Sequence, residues 1–159
     1  MKKNSIILVV ALFIAAVFGQ TTIAQSNAEE IDYVQSVVGM EKKAAIAGFL
    51  GIESDASFWA LYDAYETERK ELGKKRIGLL EKYANNYVDM SDEVASDLIK
   101  QMQAQKKSLD VLIDQYYKKI HKDSGAKVAA QFYQFENYVL SAVRLEILES
   151  IPFIGELDN

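Results

Sequence analysis

The sequence of 159 residues contains no cysteine, one histidine and one proline. Without cysteine the chain cannot form a disulfide-stapled scaffold or a cysteine-ligated zinc or iron–sulfur site, and it cannot carry a lipid on an N-terminal cysteine. A single histidine excludes every metal site that needs two or more histidine ligands. The eight glycines are scattered singly, so the chain also lacks a glycine-rich phosphate-binding loop.

The residues that usually carry catalysis form no recognisable arrangement in this chain. His121 is the sole histidine, and Lys118 stands where a di-iron helix pair would need a glutamate three residues earlier. No serine has the Gly-x-Ser-x-Gly surroundings of a hydrolase nucleophile. Acidic pairs such as Asp110 and Asp114 lie at helical spacing, which is typical of a solvated helix face. The sequence therefore predicts no catalytic residue, no metal and no cofactor, and it favours a protein that is not an enzyme.

The first 24 residues have the pattern of a cleaved signal peptide. Two lysines precede an uncharged apolar run from Ser5 to Gly19. Small residues suit cleavage after Ala24, and cleavage after Gly19 is the alternative. The run is shorter than the roughly 20 apolar residues that a membrane-spanning helix needs. We therefore expect secretion of residues 25–159 as a single helical domain, with no stable membrane insertion after cleavage.

The mature chain is acidic. Removing the two leader lysines leaves 16 basic residues against 23 acidic ones, a net charge of −7. A protein of this charge is a poor ligand for the phosphate backbone of a nucleic acid. The acidic and basic residues are also mixed along the chain, which is typical of solvated helix surfaces, so nucleic acid is not among the expected partners.

Apolar residues recur at helical spacing through most of the mature chain, and no segment alternates long enough to be a strand. This pattern predicts four helices, over residues 28–47, 55–88, 92–121 and 126–149. Ser91 is expected to cap the third helix, and Pro152 to end the fourth. The predicted fold is all-α, an elongated bundle of about four helices built on the long hairpin of the second and third.

Each of the three long helices carries a stripe that we expect to face the core. The stripes are Phe58, Tyr62, Tyr65, Leu72, Leu79 and Tyr83 in the second helix; Val94, Leu98, Met102, Gln105, Leu109, Leu112, Tyr116 and Ile120 in the third; and Val128, Phe132, Phe135, Val139, Ala142, Leu145 and Leu148 in the fourth.

An aromatic run at the start of the second helix is the densest local signal. Adjacent Phe58 and Trp59 point about 100° apart on a helix, so one narrow stripe cannot hold both at its centre. The wide apolar face then covers either a second helix or a partner chain. Arg69 and Arg76 continue the same line, where they either pair with Glu136 or Glu146 of the fourth helix or line a mixed apolar and basic face. The candidate partner-binding residues are Phe58, Trp59, Tyr62, Arg69, Arg76 and Tyr133.

Two parts of the chain carry a family resemblance. They are Phe58-Trp59-x-x-Tyr62-x-x-Tyr65-x-x-x-Arg69 with Arg76-Ile77-x-Leu79-Leu80 and Tyr83-Ala84-x-x-Tyr87, and Ala129-Ala130-x-Phe132-x-Gln134-x-Glu136 with Ile151-Pro152. In these parts the chain resembles small secreted helical proteins of Gram-negative bacteria. Its layout is similar to that of the Spy/CpxP-type periplasmic stress proteins. Those proteins carry Leu-Thr-x-x-Gln at two helix starts, and the corresponding turns here, residues 52–56 and 122–126, lack it.

The resemblance implies a periplasmic location and a non-enzymatic function. Spy-like proteins hold unfolded clients in a cradle of long helices, so this chain is expected to bind unfolded or partly folded proteins through an apolar and basic helical face. The alternative is a structural or regulatory adaptor that binds one specific envelope protein through the same surface. A homodimer is compatible with either function, because a bundle of long, thin helices has much surface for its volume.

Overall fold

A computed structural model describes residues 39–53 and 56–156 of the chain. Within them the protein is an all-α bundle of four helices with no strand. Helix α1 covers residues 39–50 of the described part, α2 runs over Phe58–Asn86, α3 over Asp92–Ser124 and α4 over Ala126–Ser150. The predicted bounds of the three long helices are confirmed to within three residues. The predicted signal peptide and the predicted start of the first helix lie outside the described residues.

The long hairpin is formed by α2 and α3, which run antiparallel. Ser57 donates to Asp123 at one end of the hairpin, and Lys82 forms an ion pair with Asp97 near the other. Between them, Gln105 donates to the carbonyl oxygen of Leu72 at 3.2 Å. The two helices therefore contact each other along the whole length of the hairpin.

Helix α4 returns alongside the hairpin, antiparallel to α3 and parallel to α2. Helix α3 packs against both of the other long helices. The rings of Tyr62 and Phe132 lie 6.4 Å apart near the start of α2, and the Tyr83 hydroxyl donates to the Pro152 carbonyl at 2.6 Å near its end. Helix α1 lies against α4 on the other side of the core, where the rings of Phe49 and Phe135 stack at 6.2 Å.

The helix ends follow the predicted signals. The Ser91 side chain accepts a hydrogen bond from the backbone N–H of Val94, which is the predicted N-cap of α3. Gly125 separates α3 from α4 at φ +87°, a conformation that a side chain would strain. Beyond α4, Ile151 is extended, because the ring of Pro152 disfavours helical geometry in the residue before it.

The core is aromatic at its centre. Tyr65 packs edge-on against Phe132 at 5.1 Å and against Tyr116 at 5.5 Å, so it joins α2 to both α3 and α4. Such edge-to-face contacts add about 0.5–1.5 kcal/mol each beyond the burial of apolar area. The central cluster of buried residues consists of Ile46, Leu50, Phe58, Trp59, Tyr62, Tyr65, Leu112, Ile113, Tyr116, Ile120, Ala129 and Phe132.

Three stripe residues that we expected to face the core are exposed instead. Leu145 and Leu148 lie on the outer face of α4, and Met102 lies on the surface of α3. The predicted stripe of α4 advanced in three successive steps of three residues after Val139, and each such step turns about 60° around the helix. By Leu148 the stripe has therefore turned to the opposite side of the helix.

Candidate functional site

The six candidate partner-binding residues do not share one surface. Phe58, Trp59 and Tyr62 are buried in the core, whereas Tyr133 is exposed on α4. Arg69 and Arg76 are half-buried further along α2. The six residues therefore form no continuous exposed face, because α1, α3 and α4 cover the aromatic run.

Trp59 is buried because α1 widens the core beyond a single stripe. Its ring packs edge-on against Phe58 at 5.0 Å, and Lys43 of α1 lies 5.5 Å from the ring centre. The indole N–H donates to the carbonyl oxygen of Glu53 at 2.8 Å, which satisfies its polar atom. Of the two alternatives that the sequence left open, the wide apolar face of α2 covers another helix of the same chain.

The most unusual feature of the interior is a buried network of charged side chains. Lys42 and Glu136 are only 1% and 2% exposed, although such residues are rarely buried unless they are paired. The Lys42 ammonium forms ion pairs with Glu66 of α2 and, at 2.7 Å, with Glu136 of α4. One lysine thus ties α1 to both other helices, and Glu136 binds it instead of the predicted arginine.

The tyrosines and Arg69 complete the network. The hydroxyl of Tyr65 donates to Glu136 at 2.7 Å, and that of Tyr62 lies 3.4 Å from the other carboxylate oxygen. Arg69 donates its Nε to both oxygens of Glu66, at 3.0 and 3.1 Å. Arg69 therefore pairs with a residue one turn before it on α2. Its pairing with a glutamate of α4, one of the two alternatives that the sequence left open, does not occur.

The two glutamates in this network respond differently to their surroundings. Burial raises the pKa of Glu66, but the charges of Lys42 and Arg69 outweigh burial and leave the pKa below its ordinary value. Burial is the largest influence on Glu136 as well, and the nearby Glu66 charge adds to it, so the pKa of Glu136 is raised. Both shifts start from an ordinary value of 4.5.

These opposite shifts predict opposite pH dependences of stability. Because the folded state lowers the pKa of Glu66, this residue stabilises the fold above pH 4.5, and the contribution is lost as the pH falls through the folded-state pKa. Because the folded state raises the pKa of Glu136, its contribution is present below pH 4.5 and is lost as the pH rises through the folded-state pKa.

Urea unfolding at a series of pH values, from about pH 3 to about pH 7, measures both dependences. The proteins compared are the unaltered protein, Glu66→Gln and Glu136→Gln. The stability advantage of the unaltered protein over Glu66→Gln should grow as the pH rises, and its advantage over Glu136→Gln should shrink. Two advantages that change in the same direction would contradict the assignment.

A second charged group, which we call the arginine cluster, consists of Arg69, Arg76 and Arg144. Arg69 and Arg76 lie two turns apart on α2, and Arg144 lies on α4. Burial and the charges of Arg144 and Arg69 lower the pKa of Arg76 to about 10. Arg76 therefore lies close enough to both Arg69 and Arg144 for their charges to repel it. The predicted pairing of Arg76 with Glu136 or Glu146 does not occur.

The end of the bundle where α2 ends, α3 begins and α4 ends carries exposed apolar side chains. Val88 is 82% exposed and Phe153 is 69% exposed. The Tyr87 hydroxyl donates to the Phe153 carbonyl at 2.9 Å, which places the two exposed side chains in neighbouring segments. The exposed large apolar residues here are Val88, Ile99, Leu145, Leu148, Phe153 and Ile154.

The segments that carry these apolar side chains are rich in acidic residues. Lys100 is the one basic residue within 86–101 and 145–156, against seven acidic residues in the same ranges. Five of the seven are exposed: Asp89, Asp92, Glu93, Glu149 and Glu156. We call this surface, with the six apolar residues above, the acidic apolar end. The exposed apolar side chains at this end are thus accompanied by negative charge, whereas the apolar and basic face predicted from the sequence follows Trp59, Arg69 and Arg76 along α2.

Other features of the described residues offer little further chemistry. His121 is exposed, with its ring 5.9 Å from that of Tyr117. Over 39–53 and 56–156 no three histidine, cysteine or acidic side chains come together in a way that would hold a metal ion. No helix in these ranges has both the length and the apolar character to cross a bilayer.

Sequence reasoning missed Lys42, although its position carried a signal. Lys42, Ile46 and Leu50 follow one another at intervals of four residues, so the lysine interrupts an apolar stripe of α1. Glu136 likewise lies between Phe132 and Val139 on the inner face of α4. A charged residue within such a stripe on each of two helices is the pattern of a buried pair.

Comparison of the chain with protein-family profiles, with curated proteins and with solved structures found no match.

Proposed function

We propose that this protein is a non-enzymatic periplasmic protein that binds partly folded proteins at the acidic apolar end. The observation that carries the proposal is the set of exposed large apolar side chains at this end, together with exposed carboxylates in the same segments. Large apolar side chains exposed together on a soluble protein are typical of a surface that binds something. The proposed clients are unfolded segments that combine apolar side chains with lysine or arginine.

The charge of the end favours this class of client. Seven acidic residues against one basic residue create a negative potential that attracts basic segments and repels acidic ones. Exposed apolar side chains such as Leu148 and Phe153 would then bury area against the apolar residues of the segment. The proposal keeps the client-binding function expected from the sequence but changes the surface from an apolar and basic face to an apolar and acidic one.

The non-enzymatic part of the proposal and the location rest on the sequence. The chain has no cysteine and one histidine, and its first 24 residues match a signal peptide. Secretion would bring the mature chain into contact with proteins that have not yet folded.

The test uses two aggregating clients of opposite charge. Reduced lysozyme is basic, reduced α-lactalbumin is acidic, and the reductant leaves this cysteine-free protein unchanged. Light scattering should show that residues 25–159 suppress the aggregation of the basic client at near-equal molar amounts, and suppress that of the acidic client much less. Added salt should weaken the difference between the two clients.

Variants locate the surface. The double variant Leu148→Ser with Phe153→Ser should lose most of the suppression, whereas Val111→Ser, a single change at an exposed apolar position in the middle of α3, should retain it. Equal suppression by the unaltered protein, the double variant and Val111→Ser would mean that the binding surface lies elsewhere. No suppression of either client would overturn the proposal and favour the alternative, an adaptor for one envelope protein.

A further inference from the structure

The arginine cluster contains more positive charge than the described residues balance. Arg69 pairs with Glu66, and Lys42 pairs with both Glu66 and Glu136, so these four charges balance. Arg144 reaches Asp110 only at 3.5 Å, a long contact on the surface. Arg76 forms no hydrogen bond or ion pair with any residue of the described ranges.

One atom of the cluster is left without a partner. The Nη2 atom of Arg69 is buried and makes no hydrogen bond, although buried polar atoms in proteins are nearly always satisfied. The Arg69 side chain keeps 18% of its surface exposed and that of Arg144 keeps 35%, so part of the cluster faces solvent. A buried donor with no partner, two helical turns from an arginine that pairs with no described residue, is an arrangement that an oxyanion satisfies.

We propose that Arg69, Arg76 and Arg144 bind a small oxyanion, either inorganic phosphate or a carboxylate. The planar guanidinium group presents paired N–H donors that match the oxygens of both anions. A bound anion would accept a hydrogen bond from the Arg69 Nη2 atom and neutralise Arg76. The site lies between α2 and α4, part-way along the bundle, and the inference does not depend on the proposed client-binding function.

The binding test follows thermal unfolding of residues 25–159 by circular dichroism at constant ionic strength. Replacing chloride by millimolar phosphate or citrate should raise the Tm along a saturating curve, as expected for a ligand that binds only the folded state. Arg76→Gln should lose the saturating rise. Lys75→Gln, at the exposed neighbouring position, should keep it. The anion that saturates at the lower concentration identifies the preferred group.

A second measurement, in chloride alone, separates anion binding from an ordinary structural role. Because Arg76 is an uncompensated half-buried cation, Arg76→Met should have a higher Tm than the unaltered protein. A lower Tm would mean that another part of the chain already neutralises Arg76, and it would overturn the proposal. A non-saturating rise of equal size in Arg76→Gln and Lys75→Gln would also overturn it, since excluded salts stabilise any folded protein in that way.

Discussion

Replacing Lys42 by methionine should cost about 3–5 kcal/mol of unfolding free energy, because Glu136 would remain buried with no cation beside it. Methionine has a similar length and is apolar, so the loss would reflect the missing charge more than a cavity. Urea unfolding followed by circular dichroism measures the loss. A two-state domain of this size is typically stable by about 5–15 kcal/mol, so the variant should unfold at a much lower urea concentration.

The adjacent lysine provides a matched control. Lys43 forms an ion pair with Asp63, but the two side chains are 43% and 57% exposed. Exposed pairs contribute about 0–1 kcal/mol, so Lys43→Met should unfold close to the unaltered protein. Equal losses in Lys42→Met and Lys43→Met would contradict the special role of the buried lysine.

A double variant tests the mechanism of that loss. Combining Lys42→Met with Glu136→Leu removes both members of the pair, while Glu66 keeps Arg69 as its partner. The double variant should recover a large part of the stability lost by Lys42→Met alone, because no isolated carboxylate remains buried. If the two single losses simply add, the charges are not coupled.

Phe132→Ala should cost about 3–5 kcal/mol through the cavity that it leaves. Phe132 is fully buried, and its ring contacts both Tyr62 and Tyr65. The Phe132 ring projects from α4 towards α2. Neither helix can therefore move into the cavity without displacing Glu136 from the network of charged side chains. Chemical unfolding should show a lower midpoint with a similar slope.

Tyr133→Ala is the control for Phe132→Ala, since the two residues are neighbours on α4. Tyr133 is exposed, and its ring contact is with Tyr117 at 5.8 Å. Losing one such surface pair should cost roughly 1 kcal/mol. A Tyr133→Ala loss as large as that of Phe132→Ala would mean that the core is not centred where the structure places it.

Helical periodicity was sufficient to predict the all-α class and the bounds of the long helices. The cap at Ser91 and the break at Pro152 were also predictable, because both act through the local backbone. Periodicity was insufficient at Leu145 and Leu148. Apolar residues repeated every three positions resemble a stripe in the sequence, but each step moves the side chain about 60° around the helix and away from the inner face.

The candidate site was harder to predict, because it depends on which helices meet. Arg69 and Glu66 are one turn apart on α2, whereas the sequence had suggested Glu136 or Glu146 of α4 as the partner of Arg69. Lys42 pairs with Glu136 in place of Arg69, because α1 brings the lysine next to that carboxylate. The exposure of Phe153 depends likewise on where the segment after α4 lies, and its hydrogen bond from Tyr87 joins residues 66 positions apart.

The ion pair between Lys42 and Glu136 spans 94 positions of the chain. The contacts of α3 with α2 and with α4 join much nearer residues, such as Lys82 with Asp97 and Tyr117 with Tyr133, and closing a long loop costs more entropy than closing a short one. Until α1 and α4 meet, Lys42 can pair with Glu66 but Glu136 has no cation. The meeting of these two helices should therefore be the slow step of folding.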